Sequence, residues 1–135
     1  MAVGGDIIEI TYNHPVLGTG VLNPKSGEDN SYFPGGIITS SDENMIDGSG
    51  QPIWQKNRRR GYFEAVCVND QNDAEELQKM IELSAHPEPT EWTFSIANGT
   101  VYGGTGKPVD SFEGNINQAT FTLRVEGGQF KKIVG

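Results

Sequence analysis

The sequence predicts a mainly antiparallel β-fold of the sandwich or barrel-like kind, with a single helix. Two segments, 92–96 and 119–125, alternate strictly between apolar and polar residues, which is typical of strands buried on one face. The chain also has 18 glycines with 2 Trp, 4 Tyr and 6 Phe, as turn-rich β proteins do. The inward-facing sets are Trp92, Phe94 and Ile96, then Ala119, Phe121, Leu123 and Val125.

Further strands are predicted in the first half of the chain. They cover residues 6–12, 16–22, 37–39 and 61–68. The first should place Ile8, Ile10 and Tyr12 on one side of the sheet. The single cysteine, Cys67, lies in the apolar strand 61–68 and is expected to be a small buried side chain rather than a reactive thiol.

Residues 35–60 have the poorest periodicity, and long irregular stretches in compact domains are usually functional or disordered. Their apolar content is high for a loop, so we predict an arm that becomes ordered against a neighbouring subunit; a mobile loop is the alternative. Arg58, Arg59 and Arg60 are consecutive, and guanidinium groups bind carboxylates or phosphates, so we favour a contact with another subunit. The alternative is a solvated strand edge whose charge discourages aggregation. The predicted inter-subunit residues are Met45, Ile46, Asp47, Ile53, Trp54, Arg58, Arg59 and Arg60.

One helix is predicted over residues 73–85. Asp73 is its candidate N-cap, with Glu76 as the capping-box partner three residues later. An apolar stripe containing Leu77 and Ile81 should cover the sheet, with Ala74, Met80 and Ala85 on or beside it.

The last third should contain two hairpins. Asn98-Gly99 favours a type I′ turn after the strand 90–97, and residues 100–103 should return. Residues 110–115 are expected to pair irregularly. Residues 118–126 and 129–134 should then form a final hairpin around Gly127-Gly128.

Composition and charge favour one acidic domain over residues 1–135. Ten Lys and Arg against 18 Asp and Glu give a net charge of −8, whereas nucleic-acid binders usually carry a basic patch. We find no secretion-signal pattern and no apolar run near the ~18 residues that a membrane span needs. A protein made and folded in a cytoplasm is expected.

No catalytic constellation stands out, so we predict neither an enzyme nor a cofactor or metal site. The run ending in Gly106-Lys107 resembles a phosphate loop, but Val101 occupies the first glycine position and Pro108 follows the lysine. Asp42, Glu43, Asp47 and Gly48 do not match calcium-loop spacing. His14 and His86 are isolated loop residues with no nearby ligand pair.

Three stretches of the C-terminal third resemble bacteriophage tail tube proteins. These are the Gly-Lys-Pro-Val turn within 103–109, the polar Gln-Ala-Thr run that enters a strand within 114–123, and the glycine turn before a lysine-bearing last strand in 126–133. The segment 44–60 is similar to the long loop of such proteins, with weaker support.

The resemblance implies a tail tube fold and a structural role. In that family, hexameric rings stack into the channel for genome delivery, and the long loop reaches adjacent subunits. The implied partners are further copies and other tail proteins: the terminator, the baseplate, the tape measure and, in sheathed tails, the sheath. The implied location is the virion tail, assembled in the host bacterial cytoplasm, and DNA should pass an acidic lumen without specific binding. Five acids on predicted polar sheet faces are candidates for the lumen: Glu9, Glu64, Glu91, Glu113 and Glu126. Of these, we predict that Glu113 and Glu126 face the lumen.

Other functions stay open at this stage. One is a related tail component, such as a terminator, a baseplate hub protein or the tube of a contractile injection machine. Another is a β-sandwich module that binds a sugar or peptide. Two exposed tryptophans would favour such a module, because sugar sites stack on aromatic rings.

Overall fold

The computed structural model describes residues 4–40, 46–69, 75–109 and 113–134. In these residues the chain forms eleven strands and one helix. In chain order the elements are β1 (Ile7–His14), β2 (Gly18–Leu22), β3 (Ser31–Phe33), β4 (Gly36–Ser40), β5 (Gln55–Arg59), β6 (Gly61–Val68), α1 (Glu75–Ala85), β7 (Thr90–Ile96), β8 (Val101–Pro108), β9 (Gly114–Asn115), β10 (Thr120–Gly127) and β11 (Lys131–Val134).

Nine of the strands form one antiparallel sheet, with the order β2-β1-β7-β8-β10-β6-β3. Two short strands lie off this path: β11 pairs with β8, and β9 pairs with β10. The remaining strands, β4 and β5, pair with each other as a separate two-stranded sheet. The predicted mainly β, antiparallel fold with one helix is therefore confirmed.

The large sheet curls into a sandwich around an aromatic core. The rings of Phe63 on β6 and Phe94 on β7 are 4.7 Å apart, although β6 and β7 are three steps apart in strand order. In a flat sheet three steps would separate them by ~14 Å. After β2 the chain also meets β6, where the Lys25 amide donates to the Val66 carbonyl oxygen and Pro24 bridges Cys67. This single bridge brings the two ends of the sheet together without closing it.

The two alternating segments lie where the sequence predicts, as strands β7 and β10. Trp92 and Phe94 are buried, and Ile96 packs partly buried against the core. The core-facing side of β10 carries the buried Phe121, Leu123 and Val125. Ala119 is only half-buried and precedes β10, in a left-handed conformation with φ 55°.

The first strand departs from simple alternation. A register irregularity between Ile7 and Glu9 places Ile7 in the core and leaves Ile8 57% exposed, so the prediction that Ile8 shares a side with Ile10 and Tyr12 is wrong. A β-bulge inserts one residue and shifts the inward-facing positions on one side of it. Beyond this point Ile10 and Tyr12 are buried as predicted.

The hairpin at Asn98-Gly99 forms, but its turn is not type I′. Gly99 has a positive φ of 90°, whereas Asn98 does not. The Gly99 amide donates to the Ile96 carbonyl oxygen at 3.0 Å, and the Ile96 amide donates to the Thr100 carbonyl oxygen. This is a three-residue loop, a type I turn followed by a left-handed glycine.

The predicted last hairpin is wrong, because β11 pairs with β8 rather than with β10. Phe130 is buried against Phe63, with ring centroids 5.5 Å apart, and its amide donates to the Pro34 carbonyl oxygen. This anchor carries the chain away from β10. As a result β8 holds β11 along Val101–Gly103 and β10 along Gly106–Pro108.

The helix forms, with a different buried face from the predicted one. Met80 and Leu83 are buried and Leu77 is partly buried, whereas Ile81 is 43% exposed and Ala85 is also exposed. The i, i+3 spacing of the buried residues shows that the helix is rotated relative to the predicted stripe. The predicted cap Asp73, and Ala74, lie outside the described residues.

Candidate assembly surface

Part of segment 35–60 is a β-hairpin. Its first strand, β4, contains the predicted strand 37–39, whereas β5 lies where an irregular stretch is predicted, so that prediction is wrong there. Residue Ile37 on β4 lies opposite Arg58 on β5, and Thr39 opposite Lys56. Sequence periodicity misses β5 because Gln55–Arg59 contains no apolar residue. Every described residue from 46 to 60 has an exposed side chain. We call the hairpin and its tip, residues 36–40 and 46–59, the arm.

The arm presents large apolar side chains to solvent. Trp54 is 71% exposed, Ile37 61%, Ile46 56% and Ile53 44%. Exposed apolar residues that cluster on one projecting element commonly mark an interaction site. Of the predicted inter-subunit residues, the arm carries Ile46, Asp47, Ile53, Trp54, Arg58 and Arg59, and Arg60 follows directly at its end. Met45 lies outside the described residues.

The tip of the arm is a hydrogen-bonded turn organised by Asp47. Its Oδ1 accepts from the Ser49 amide at 2.8 Å, the Ser49 hydroxyl at 2.6 Å and the Gln51 amide at 3.0 Å. The Asp47 amide donates back to the Gln51 carbonyl oxygen, and Ile46 bridges Pro52. The hydrogen bonds, that of the Ser49 hydroxyl first, hold the pKa of Asp47 below its usual value. The apolar residues of the tip are therefore carried on an ordered turn.

The root of the arm is held by close main-chain packing. The Gly61 amide donates to the Gly128 carbonyl oxygen at 2.7 Å. Gly35 has a φ of +89°, and a Cβ there would lie 2.7 Å from the same oxygen. A side chain at position 35 would therefore force the arm away from the body. The Arg59 guanidinium lies 5.5 Å from the centre of the Phe33 ring, which adds a cation–π contact at the root.

Two adjoining grooves begin at this root and concentrate positive charge. The first, which we call the arm groove, is lined by Gly36, Ile37 and residues 58–60 and 127–129. The second, the glycine groove, continues past Arg60 along 103–107 and 126–129 to Lys131. The sequence analysis did not assign Lys107 or Lys131 to a site, because only the pairing of β8 with β10 and β11 brings them near the arginines.

The sheet also leaves strand edges unpaired. Within the described ranges, β2 has only β1 as a strand partner and β3 has only β6. An edge strand presents main-chain N–H and C=O groups that can pair with another chain. Tyr32 on β3 is 45% exposed, and Val21 on β2 is 54% exposed. Besides the arm, the chain therefore has two strand edges that could form main-chain hydrogen bonds with another chain.

The two candidate lumen acids are not neighbours. Glu113 precedes β9, which pairs with Thr120 and Phe121, whereas Glu126 lies five residues beyond Phe121 on β10, or ~17 Å along the strand. Glu126 is 3.5 Å from the Arg124 guanidinium, which also pairs with Glu64 at 3.0 Å. Burial opposes the charged form of Arg124, but the Glu64 hydrogen bond and the Glu126 charge raise its pKa. Part of the acidity of this face is therefore neutralised locally.

The residues considered for nucleotide binding, thiol chemistry and metal binding do not form such sites in the described part of the chain. The phosphate-loop look-alike 103–107 lies within β8, so no helix follows it. Burial raises the pKa of Cys67 to about 12, so its thiol stays protonated. Asp42 and Glu43 lie outside the described residues. In the described part of the chain, no group of three or more His, Cys, Asp or Glu side chains could hold a metal ion.

The two histidines meet, which the sequence does not predict. Their ring centroids are 4.3 Å apart in an edge-to-face arrangement. His14 is buried, and its Nδ1 accepts from the Val16 and Leu17 amides at 3.0 Å each. Its Nε2 is 3.2 Å from the Glu88 carbonyl oxygen, to which it donates in the tautomer that this arrangement requires. The ring nitrogens of His14 thus fasten the β1–β2 turn to the segment after α1.

Comparison with known proteins finds no protein-family model that matches the chain and no matching curated protein. Among the described residues, no helix has the length and apolar character needed to cross a bilayer.

Proposed function

We propose that this chain is a structural subunit of a bacteriophage tail tube, which assembles into stacked hexameric rings and conducts the genome without binding it specifically. The observation that carries the proposal is the exposed arm. Trp54, Ile46 and Ile53 lie on an ordered turn with no cover from the described residues of their own chain. Burying such side chains contributes about 25 cal/mol per Å² of apolar area removed from water, and a neighbouring copy could supply the cover.

The unpaired edges of the large sheet also support assembly. β2 and β3 each have one unpaired side in the described residues, and joining edges between copies would satisfy those main-chain groups. The β2 edge and the β3 edge lie at opposite ends of the strand order, so pairing β2 of one copy with β3 of the next is a head-to-tail contact. Head-to-tail contacts produce rings when the rotation closes.

Charge supports a conduit rather than a nucleic-acid receptor. The chain carries a net charge of −8, which a ring of copies would multiply. A negatively charged surface repels the phosphate backbone and does not gain the counterion-release energy that drives nucleic-acid binding. The lumen-facing roles of Glu113 and Glu126 stay predictions, with Arg124 offsetting part of the charge near Glu126.

The decisive experiment measures assembly directly. We would follow the purified chain by sedimentation velocity at rising concentration and by negative-stain electron microscopy. Two variants should stay small: one in which Gly-Gly replaces residues 46–54, and one that keeps the arm length but carries Ile46→Ser, Ile53→Ser and Trp54→Ser. Thermal unfolding of both variants checks that the body is intact, because the replaced side chains are exposed.

The outcomes separate the candidate functions. Rings that stack into tubes support the tube subunit, whereas single rings that never stack support a terminator-like component. A particle that stays monomeric at high concentration contradicts both. A sugar platform built from two exposed tryptophans is disfavoured, because Trp92 is 1% exposed.

A further inference from the structure

The cations of this acidic chain are concentrated at the arm root. Of the ten Lys and Arg residues, five line the arm groove and the glycine groove. Of the 18 acidic residues, Glu126 is the one found among the groove-lining residues that the structure describes. Because Glu126 already pairs with Arg124, it does little to neutralise the grooves. The five lining cations are Arg58, Arg59, Arg60, Lys107 and Lys131.

None of these five cations forms an ion pair with a carboxylate in the described part of the chain. Arg59 lies over Phe33, and the Lys107 ammonium donates to the His86 carbonyl oxygen at 2.6 Å. For Arg58 and Arg60, the described residues supply no carboxylate within salt-bridge distance. Like charges on consecutive residues repel one another, so an anionic partner in this groove would be favoured.

A complementary surface lies on the helix of the same chain. Glu75, Gln78 and Glu82 are exposed and lie at i, i+3 and i+7, which places them on one face of α1. The first turn is acidic, and Lys79 is the one cation beside this face in the described helix, paired with Glu82 at 4.0 Å. This face borders Tyr12, whose pKa is raised by burial and then by the charges of Glu76 and Glu82.

We infer that the arm groove of one copy receives the acidic face of helix α1 from a second copy. The inference rests on the proposed self-assembly and names its contact. The occupant is a second copy rather than nucleic acid, because the arginines lie on a chain of net charge −8 that repels long polyanions. The groove and the helix face are different patches, so the contact is head-to-tail and can propagate around a ring.

Paired charge reversals test this contact. The groove variant is Arg58→Glu with Arg60→Glu, and the helix variant is Glu75→Lys with Glu82→Lys. Each alone should weaken association at least about tenfold, because like charges would face each other. Lys25→Glu with Lys132→Glu is the matched control: it reverses the same number of cations outside the arm, the two grooves and the helix face, and should assemble as the unmodified chain does. Raised salt should weaken assembly of the unmodified chain.

Mixing the two variants gives the sharpest result. The groove variant retains its acidic helix and the helix variant retains its arginines, so one intact contact can form between them. We expect a heterodimer that cannot grow further, detected by sedimentation or native mass spectrometry. Arg58→Gln with Arg60→Gln, together with thermal unfolding, guards against a fold defect, and should weaken association less than the reversal does.

Three results would overturn the inference. The first is assembly of the groove and helix variants like the unmodified chain, which would leave the tube proposal standing. The second is a mixture that forms no heterodimer. The third is binding of a fluorescent DNA duplex that depends on Arg58 and Arg60 at physiological salt, which would assign the groove to a polyanion. An unmodified chain that never associates would instead defeat the proposed function together with this contact.

Discussion

Gly127 of β10 lies directly opposite Gly106 of β8 in the antiparallel register. A Cβ on Gly127 would overlap the Thr105 carbonyl oxygen and lie 2.7 Å from the Gly106 Cα. A Cβ on Gly106 would lie 2.5 Å from the Glu126 carbonyl oxygen. The two main chains thus approach more closely here than side chains allow. This contact lies where β8 passes from pairing with β11 to pairing with β10, beside the glycine groove.

The first prediction concerns this close approach. Gly127→Ala should lower the free energy of unfolding by about 1–3 kcal/mol or more, because main-chain atoms rather than a flexible side chain must move. Gly128→Ala is the matched control, since a Cβ there meets nothing within 4 Å and its φ is not positive. Urea unfolding of the two variants checks the difference, and equal stability would show that the strands separate at little cost.

The arm tip should depend on pH through Asp47. Its folded pKa is lowered from 3.8 by the Ser49 hydroxyl first, then by the main-chain amides. A lowered pKa means that the carboxylate's contribution is present above 3.8 and is lost as the pH falls through the folded pKa. We therefore expect the NMR amide shifts of Ser49 and Gln51 to stay constant near neutral pH and to change together in acid, with a midpoint below 3.8.

Asp47→Asn is the control for this titration, because it keeps an acceptor oxygen but carries no titrating group. Its Ser49 and Gln51 amide shifts should not show the acid transition. A midpoint above 3.8 in the unmodified chain would contradict the hydrogen-bonded turn.

His14 should matter for stability although the sequence marks it as an isolated loop residue. His14→Ala removes the acceptor for the Val16 and Leu17 amides and the donor to the Glu88 carbonyl oxygen. With these part-buried groups left without their partner, we expect a loss of about 2–4 kcal/mol in unfolding free energy. His86→Ala should lower the unfolding free energy by less, because it removes only the exposed hydrogen bond that the Glu88 amide donates to the His86 Nδ1. Thermal or urea unfolding would settle the order, and the reverse order would count against the fastening role of His14.

Trp54 should act on assembly and not on folding. If it is an anchor in a contact between copies, Trp54→Ser should weaken association by about 2 kcal/mol or more, or about 30-fold. Thermal stability of the monomer should change little, since the side chain is 71% exposed. Val16→Ser, at a 64% exposed apolar residue outside the arm, is the control for lost apolar area. Equal effects of the two substitutions on sedimentation would remove the arm from the interface.

Local patterns in the sequence predicted most of the secondary structure. Strict alternation located β7 and β10, because a strand buried on one face needs an apolar residue at every second position. Helical spacing and the proline after His86 located α1. These signals depend only on near neighbours in the chain, so they survive without knowledge of the tertiary structure.

The candidate site was only partly predictable. The apolar and arginine residues of the arm stand out because they lie in a stretch without periodicity. The hairpin of the arm could not be predicted, because β5 is entirely polar and only its pairing with β4 identifies it as a strand. Lys107 and Lys131 join the arginines only through strands that meet across the sheet.

By itself the sequence determined the β class, the single helix, the acidic charge and the position of the exposed arm residues. Tertiary structure alone decided that β11 lies beside β8, that a bulge turns Ile8 outward, and that α1 buries Met80 and Leu83. The division has one physical reason. Alternation and helical spacing are properties of adjacent residues, whereas strand partners, bulges and helix rotation follow from packing between residues far apart in the chain.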